Sequence, residues 1–553
     1  MNDMMIGIAG EAGQGIQTFG DTVAKAMFRA GYNVFTDKSY HSRIRGGEYI
    51  YSIRIAERRP FSIRDGYDLV LSMSEETTEK LLEGEHDRVY VVADEDHKDL
   101  DKATVKRFGF SRIAEEVGEK RAVNTVMLGA LMSLMSIEQR FPEKLLEEAF
   151  GDKEDVLEAN INALRKGYEI SLGYNLPDIP RRDDDTFLLM TGTEAAGYGA
   201  ISAGCRFLSA YPMTPGTGVM NVLAANSEKH SIVVEQAEDE IAAINMAIGA
   251  AFAGVRSMVT TSGGGFALMQ EGVSLAGMTE TPVVAVVAQR PAPATGLPTR
   301  TAQEDLFFVM KSGHGEFARY VVAPRNAREA FELTRKAFFI ADKYQVPAFI
   351  LLSQQLVDSS VTIEAPSVNK EHDQRFIERR KINDYKRFSL TESGISPRVV
   401  PGAGTIIRAD SDEHDEYGFI SEDLSLRKNM VEKRMKKLSS IVKESAEPLW
   451  RNPDADTIII GWGDSWGAID EAVSEHGRNL GYLHFNEVFP LRVDDVSRLS
   501  SKKLVTIEGN YSGLFGEYFR SVTGLKTAHV GKYDGRPITP QWILGRLVEE
   551  GII

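Results

Sequence analysis

Three clusters in the middle of the chain set chemically useful side chains beside stiff or bare backbone. The first is Tyr211-Pro212-Met213-Thr214-Pro215-Gly216-Thr217. Proline fixes φ, so two of them around a threonine hold its hydroxyl in one place, as recognition of a carboxylate or carbonyl requires. An ordinary strand-exit turn would carry the same letters. The second is Glu235-Gln236-Ala237-Glu238-Asp239-Glu240, followed by IAAINMAIGAAFAG. Carboxylates favour a helix N-terminus through its dipole, but this run holds more acids than a cap needs. The helix it opens is almost all small or apolar and so is buried on most sides. A carboxylate at its mouth, Glu240, is partly desolvated and suited to exchanging a proton with a ring nitrogen. The third is Thr261-Ser262-Gly263-Gly264-Gly265-Phe266, where consecutive glycines after a strand let something bulky lie against backbone. Nearby, Arg290-Pro291-Ala292-Pro293-Ala294-Thr295-Gly296 again holds polar residues between prolines, and arginine suits bidentate carboxylate recognition.

Two further turns lie near the N-terminus. Gly10-Glu11-Ala12-Gly13-Gln14-Gly15 ends a strand and opens a helix, the arrangement that attracts a phosphate. Its glycine spacing is not that of dinucleotide folds, and no acid is placed to hold a ribose. A phosphate-bearing ligand of another kind and a plain tight turn both remain open. Ser42-Arg43-Ile44-Arg45-Gly46-Gly47 sets two cations beside a flexible turn, which reads either as a solvated loop or as a contact with an anion or a neighbouring subunit.

The elements that must position these residues follow from periodicity. Apolar runs of strand length alternate with Ala-rich or amphipathic segments of helical spacing, which implies α/β layers with largely parallel sheets. The 553 residues divide into a block at 1–175, a polar proline-bearing linker at 174–186, a block at 187–365 and a block at 451–553. Between the last two lies a charged stretch, 366–450, longer than an ordinary loop and expected as an ordered arm. In it RKNMVEKRMKKLSSIV reads as a helix. In the first block YIYSIRIAE alternates and is expected to turn back against its neighbours.

Composition excludes several classes. The net charge of -16 argues against nucleic acid as a partner, because phosphates need a basic footprint. No run approaches the roughly 18–20 apolar residues of a membrane span, and the first residues show no secretory pattern, so a cytoplasmic protein is expected. The single cysteine, Cys205, cannot by itself make a disulfide or a four-thiolate cluster and reads as a small buried hydrophobe.

Taken together, these segments resemble a known family. TGTEAAGYGAISAGCRFLSAYPMTPGT, EDEIAAINMAIGAAFAG, TSGGGFALMQEG and QRPAPATGLPTRTAQEDL resemble the alpha chain of 2-oxoacid:ferredoxin oxidoreductases. GEAGQGIQTFG with SRIRGG resembles the gamma chain of those enzymes, here fused ahead of alpha. ISPRVVPG, SDEHDEYG and MVEKRMKK resemble the family's connector, and GWGDSWGAIDEA with NEVFPL its transketolase-C-terminal-like domain. The resemblance implies an α/β protein of three domains: gamma-type, doubly wound pyrimidine-binding and transketolase-C-terminal-like. It implies oxidative decarboxylation of a 2-oxoacid, 2-oxoglutarate before pyruvate, with coenzyme A taking the acyl group and ferredoxin the electrons.

The resemblance also implies thiamine diphosphate shared with a beta subunit, Mg2+ and a [4Fe-4S] cluster on that partner, and an alpha-beta or (alpha-beta)2 heteromer. Glu240 falls at the glutamate that bonds the aminopyrimidine, Thr214 at the substrate-facing threonine, and Arg290 and Thr295 at positions around the substrate carboxylate. Tyr211, Pro212, Gly263 and Gly264 fall along the cofactor. Gly216 and Gly264 stand where many relatives carry serine and proline. The diphosphate-binding G-D-G element is missing: Gly463-Asp464-Ser465 breaks it, and Tyr533-Asp534-Gly535-Arg536 lacks its leading glycine. Arg300 reads either as the group meeting a second substrate carboxylate or as a surface charge. A non-catalytic scaffold paralogue is the alternative function.

Overall fold

The computed structural model describes residues 2–41, 47–83, 89–98, 100, 104–184 and 186–553. The chain forms two compact units, Met1–Met190 with Asp358–Ala365, and Thr191–Val357 with Pro366–Ile553.

The first unit is built on an eight-stranded sheet. Asp3–Glu11, Leu69–Ser72, Tyr90–Asp94 and Thr104–Phe108 are parallel. Glu48–Ala56 runs antiparallel to Asp3–Glu11, and Asn33–Tyr40 antiparallel to Glu48–Ala56. The sheet is therefore mixed rather than largely parallel, because too few residues separate Tyr40 from Glu48 for a crossover. Phe187–Thr191, a strand expected with the middle block, and Ser360–Glu364, which lies within that block's expected bounds, complete this sheet at one edge. Phe187–Thr191 is the half-exposed edge strand and Ser360–Glu364, buried along its middle, lies inside it; no periodicity states which sheet a strand joins. The division accordingly falls at Met190 and around Asp358–Ala365 instead of at the linker and residue 365.

The second unit carries two sheets. In the larger, the order is Glu487–Phe489, Tyr320–Val322, Pro347–Ser353, Val283–Gln289, Ser257–Ser262, Phe207–Ala210, Val233–Gln236. Five of the six pairings are parallel, with Glu487–Phe489 antiparallel at the edge. The strands Ser257–Ser262, Val283–Gln289 and Pro347–Ser353 are buried along their whole length, as strands covered on both faces must be. The chain moves outward from Phe207–Ala210 to Val233–Gln236 and then returns to the other side at Ser257–Ser262. The order thus reverses between Phe207–Ala210 and Ser257–Ser262, and crevices at the strand C-termini beside such a reversal are where open α/β sheets bind ligands.

The smaller sheet, Leu449–Arg451, Leu480–Phe485, Thr457–Trp462, Lys503–Glu508 and Ala528–Gly531, is parallel except for its first strand. One hydrophobic core runs through both sheets, joining Val321, Phe349 and Leu351 to Ile460, Trp462, Phe485 and Phe515. The charged stretch between them is ordered and ends in the helix Leu424–Glu444. It docks through arginines: the buried Arg387 donates to the carbonyls of Glu280 (2.7 Å) and Thr279 (3.2 Å), and the buried Arg398 and the more exposed Arg375 pair with the buried Asp342.

Candidate functional site

The three middle clusters meet at the reversal of the larger sheet. Tyr211–Thr217 leaves Phe207–Ala210, Glu240 follows Val233–Gln236, Gly263–Gly265 leaves Ser257–Ser262, and Arg290 follows Val283–Gln289. The Thr260 hydroxyl donates to the Gly216 carbonyl at 2.7 Å, which ties the first cluster to the strand that leads into the third.

Glu240 opens the helix Glu240–Phe252, whose cap is the preceding residue: the Asp239 carboxylate accepts from the Ala242 amide at 2.8 Å. The dipole of this helix is therefore served without Glu240. Glu240 itself is 3% exposed. Its Oε1 is buried and has no hydrogen-bond partner among the described residues. The Ser262 hydroxyl, beside the glycine run, is likewise buried without a partner. Leaving such groups unpaired costs about 1–3 kcal/mol each, so a carboxyl oxygen held this way is kept for something that is not the chain.

The glycine run lies directly over that carboxylate. A Cβ on Gly265 would stand 2.4 Å from Glu240 Oε1 and 2.2 Å from Thr261 Oγ1, so only glycine fits there. A Cβ on Gly263 would stand 2.5 Å from Asp305 Oδ1. At Gly264 the opposite holds: its nearest neighbours would be the Ala294 carbonyl at 3.8 Å and Met213 Sδ at 4.0 Å, and the residue is exposed. Gly264 thus faces open space between the Tyr211–Thr217 loop and the Arg290–Gly296 loop. A flat ring beside Gly264 with its edge toward Glu240 fits this cradle.

The two proline loops wall the opening. Thr214 and Thr295 are exposed, as are Tyr211 and Pro212. Arg290 is 9% exposed and donates through Nη1 to the Thr214 carbonyl at 2.5 Å, so its guanidinium fixes the Thr214 loop. Burial holds Arg290 below the ordinary arginine value, with the Asp305 carboxylate acting the other way. Asp305, a residue the motif reading left aside, has its carboxyl pushed up to about 6, first by burial and then by Glu304, against Arg290. The only sequence signal for it was the polar run Gln303-Glu304-Asp305 set directly before apolar LFFVM. Gly296 closes the second loop: at φ +55 its Cβ would stand 1.7 Å from the Pro291 carbonyl. Arg300, four residues on, is partly buried.

In the first unit the glycine turn has the expected form. Asp3–Glu11 ends at it, Gly13 and Gly15 take positive φ, and Ile16–Arg29 starts without a side-chain cap. Of the basic turn, Ser42–Gly46 lies outside the described residues; the Gly47 carbonyl accepts from Ala12 N at 3.2 Å. Cys205 is buried, and burial pushes its thiol up to about 12. Among the described residues no group of three or more His, Cys, Asp or Glu side chains could hold a metal ion, and no helix is long and apolar enough to cross a membrane.

Comparison with known proteins agrees with this geometry. A family model described as pyruvate flavodoxin/ferredoxin oxidoreductase, thiamine diphosphate-binding, matches residues 198–433, which hold every site residue above. A second, pyruvate ferredoxin/flavodoxin oxidoreductase, matches residues 5–170. The 2-oxoacid:ferredoxin oxidoreductase subunit alpha of Saccharolobus solfataricus is 32% identical, over 96% of this chain and 95% of that one. A 2-oxoglutarate synthase subunit KorA from Methanocaldococcus jannaschii is 33% identical over 60% of this chain and 90% of its own. The solved structure of a 2-oxoglutarate:ferredoxin oxidoreductase from Magnetococcus marinus, with 2-oxoglutarate, coenzyme A and succinyl-CoA bound, has a TM-score of 0.91 and 32% identity, covering 100% of both chains. With relatives of this identity matched over nearly their whole length, and a switch-point cradle over an unpaired carboxylate, the chain belongs to the 2-oxoacid:ferredoxin oxidoreductase family, as its alpha subunit.

Proposed function

We propose that this chain supplies the pyrimidine side of a thiamine diphosphate site and the walls of a 2-oxoacid pocket, with 2-oxoglutarate the preferred substrate. Coenzyme A is the acyl acceptor and ferredoxin the electron acceptor. The diphosphate site, Mg2+ and a [4Fe-4S] cluster belong to a beta subunit, in an alpha-beta or (alpha-beta)2 heteromer of the cytoplasm. The observation that carries this reading is the buried Glu240 Oε1, without a partner among the described residues, packed against Gly265 next to the exposed backbone of Gly264.

When bound, thiamine diphosphate supplies the nucleophilic carbon and the electron sink that decarboxylation of a 2-oxoacid needs. Glu240 shares a proton with a nitrogen of the pyrimidine ring, from a side chain that burial and packing hold in one place. Gly263 and Gly264 give the ring bare backbone to lie on, and Tyr211 and Pro212 edge it. Thr214 and Thr295 present hydroxyls to the substrate, and Arg290, which already grips the Thr214 carbonyl, adds positive charge for its carboxylate. Arg300 is the cation on hand for a second carboxylate, the feature that separates 2-oxoglutarate from pyruvate. Relatives named for 2-oxoglutarate support that choice. One cysteine in the chain supports placing the cluster on the partner.

The test is reconstitution with the beta subunit, followed by dye-linked turnover on a panel of 2-oxoacids with coenzyme A. Turnover is expected only with both subunits and is fastest on 2-oxoglutarate. Full-rate turnover by this chain alone would overturn the division of labour; a preference for pyruvate would overturn the substrate.

A further inference from the structure

The smaller sheet of the second unit is itself doubly wound. From Thr457–Trp462 the chain goes to Leu480–Phe485 on one side and then to Lys503–Glu508 on the other. The crevice between the ends of Thr457–Trp462 and Lys503–Glu508 is thus a second switch point, where folds of this kind take a ligand. Here the crevice is filled by the chain's own groups. The Glu508 carboxylate, fully buried, accepts from the Phe515 amide at 2.9 Å and the Gly516 amide at 3.0 Å, occupying the anion position at the start of Leu514–Thr523.

Beside it sits Gln303, which comes from the neighbouring larger-sheet domain and is 4% exposed. Its Nε2 donates to the Trp462 carbonyl at 3.0 Å, and its Oε1 accepts from the Gly509 amide at 2.9 Å. Its own amide donates to the Gly509 carbonyl at 2.8 Å, and its carbonyl accepts from Asn510 Nδ2 at 3.0 Å. Both polar ends of the side chain and both backbone groups are satisfied by the smaller sheet. Two residues earlier, Thr301 N donates to the Gly535 carbonyl at 3.2 Å, and the backbone of Gly535 lies against Arg300 and Leu297. The segment 297–303 therefore runs across the C-terminal ends of Thr457–Trp462, Lys503–Glu508 and Ala528–Gly531, and it continues directly from the loop that carries Thr295.

We propose that Gln303 is a positioning residue: by filling the switch-point crevice of the smaller sheet it anchors the loop of Thr295 and Arg300, and so makes the C-terminal domain the part that sets substrate affinity. The inference rests on the functional reading above in taking that loop as a substrate wall. It goes beyond it in giving the C-terminal domain a role in the pocket and in naming a residue that touches neither substrate nor cofactor.

The test is Gln303→Met, which keeps the volume and removes both amide ends, in the full chain reconstituted with its beta subunit. A second variant, Gln303→Glu, keeps the bond from Gly509 and loses the one to Trp462. Two readouts are taken. Amide hydrogen exchange at Leu297, Arg300 and Thr301 is expected to quicken by about tenfold in Gln303→Met, with that of Glu240–Phe252 unchanged. The KM for 2-oxoglutarate is expected to rise by about tenfold with little change in kcat or in the affinity for thiamine diphosphate, the loss expected when an anchored hydrogen-bonding residue is removed. Gln303→Glu, which sets a buried carboxylate oxygen against the Trp462 carbonyl, is expected to shift both in the same direction by at least as much. Unchanged exchange in that segment overturns the anchoring, whatever the enzyme's activity. Faster exchange with an unchanged KM, or a fall in kcat alone as active protein is lost, overturns the role in the pocket. Absence of turnover by the wild-type complex on any 2-oxoacid would instead count against the functional reading, with the exchange result still deciding the anchor.

Discussion

Glu240 and Gly265 form a matched pair, since the glycine has no side chain because the carboxylate needs the room. Gly265→Ala puts a methyl group 2.4 Å from Glu240 Oε1, so the carboxylate must swing away. Turnover of the complex is expected to fall by about 10²-fold or more, the usual worth of a positioned proton-transfer group, with stability lowered only by ordinary overpacking, about 1–3 kcal/mol. Activity equal to wild type would show that Glu240 has slack. Asp464 gives a test in stability alone. It is partly buried, accepts from the Ser353 hydroxyl, and is raised from 3.8 to about 6, chiefly by loss of solvent around the carboxyl. The folded carboxyl therefore binds its proton more tightly than the unfolded one, and the protein loses stability as pH rises from about 4 to about 6. Above that range the ionised group costs roughly 3 kcal/mol. Asp464→Asn is expected to raise the thermal midpoint at pH 8 and to match wild type near pH 4; scans at the two pH values check it.

At this scale the sequence was informative where type and spacing coincide. Glu240, Thr214 and the glycines were singled out from the motifs, and the fold brings them to one opening. Asp305 and Gln303 were passed over, because a buried polar residue in a loop looks like any exposed one until its partners are known.

Among the elements, the helix Leu424–Glu444 shows how a highly charged stretch can be ordered. Lys433 and Lys437 project into the larger-sheet domain, and both donate to the Glu280 carboxylate, with Lys437 at 2.5 Å. All three side chains are 1% exposed. Burial pushes the Glu280 carboxyl up, but Lys437, Lys433 and Arg387 outweigh it and hold it below the ordinary range. Burial also lowers Lys437 to about 8, against the pull of Glu280. Removing the one anion leaves cations facing each other without water, a change that costs about 3–5 kcal/mol. Glu280→Gln is thus expected to lower stability by that amount and to free the helix for cleavage at low protease; a variant as resistant as wild type would contradict the clamp. The helix itself was legible from its periodicity, whereas the docking was not, since charge alone suggests solvent. The edge strand Phe187–Thr191 was likewise legible as a strand and misplaced as to sheet, and its neighbour Ser360–Glu364 was not singled out, because pairing between segments far apart in the chain leaves no local mark.

For the whole molecule, α/β layering and three sheets follow from the alternation of strand and helix signals, and the division into two units does not. On the helices that Glu240 and Gly263 open, Ile241, Met246 and Leu268 are exposed apolar residues, a composition that fits a surface covered by another subunit. Ile241→Lys is expected to weaken association with the beta subunit by at least tenfold at unchanged monomer stability, read by titration of one subunit with the other; unaltered affinity would place the interface elsewhere.

The central claim is that Glu240 governs the proton on the cofactor's pyrimidine ring. The most direct measurement is the rate at which the thiazolium C2 hydrogen exchanges for deuterium in the assembled complex loaded with thiamine diphosphate, wild type against Glu240→Ala. The account expects exchange to slow by about 10²–10⁴-fold in the variant, with the cofactor still bound; equal rates in the two proteins would contradict it.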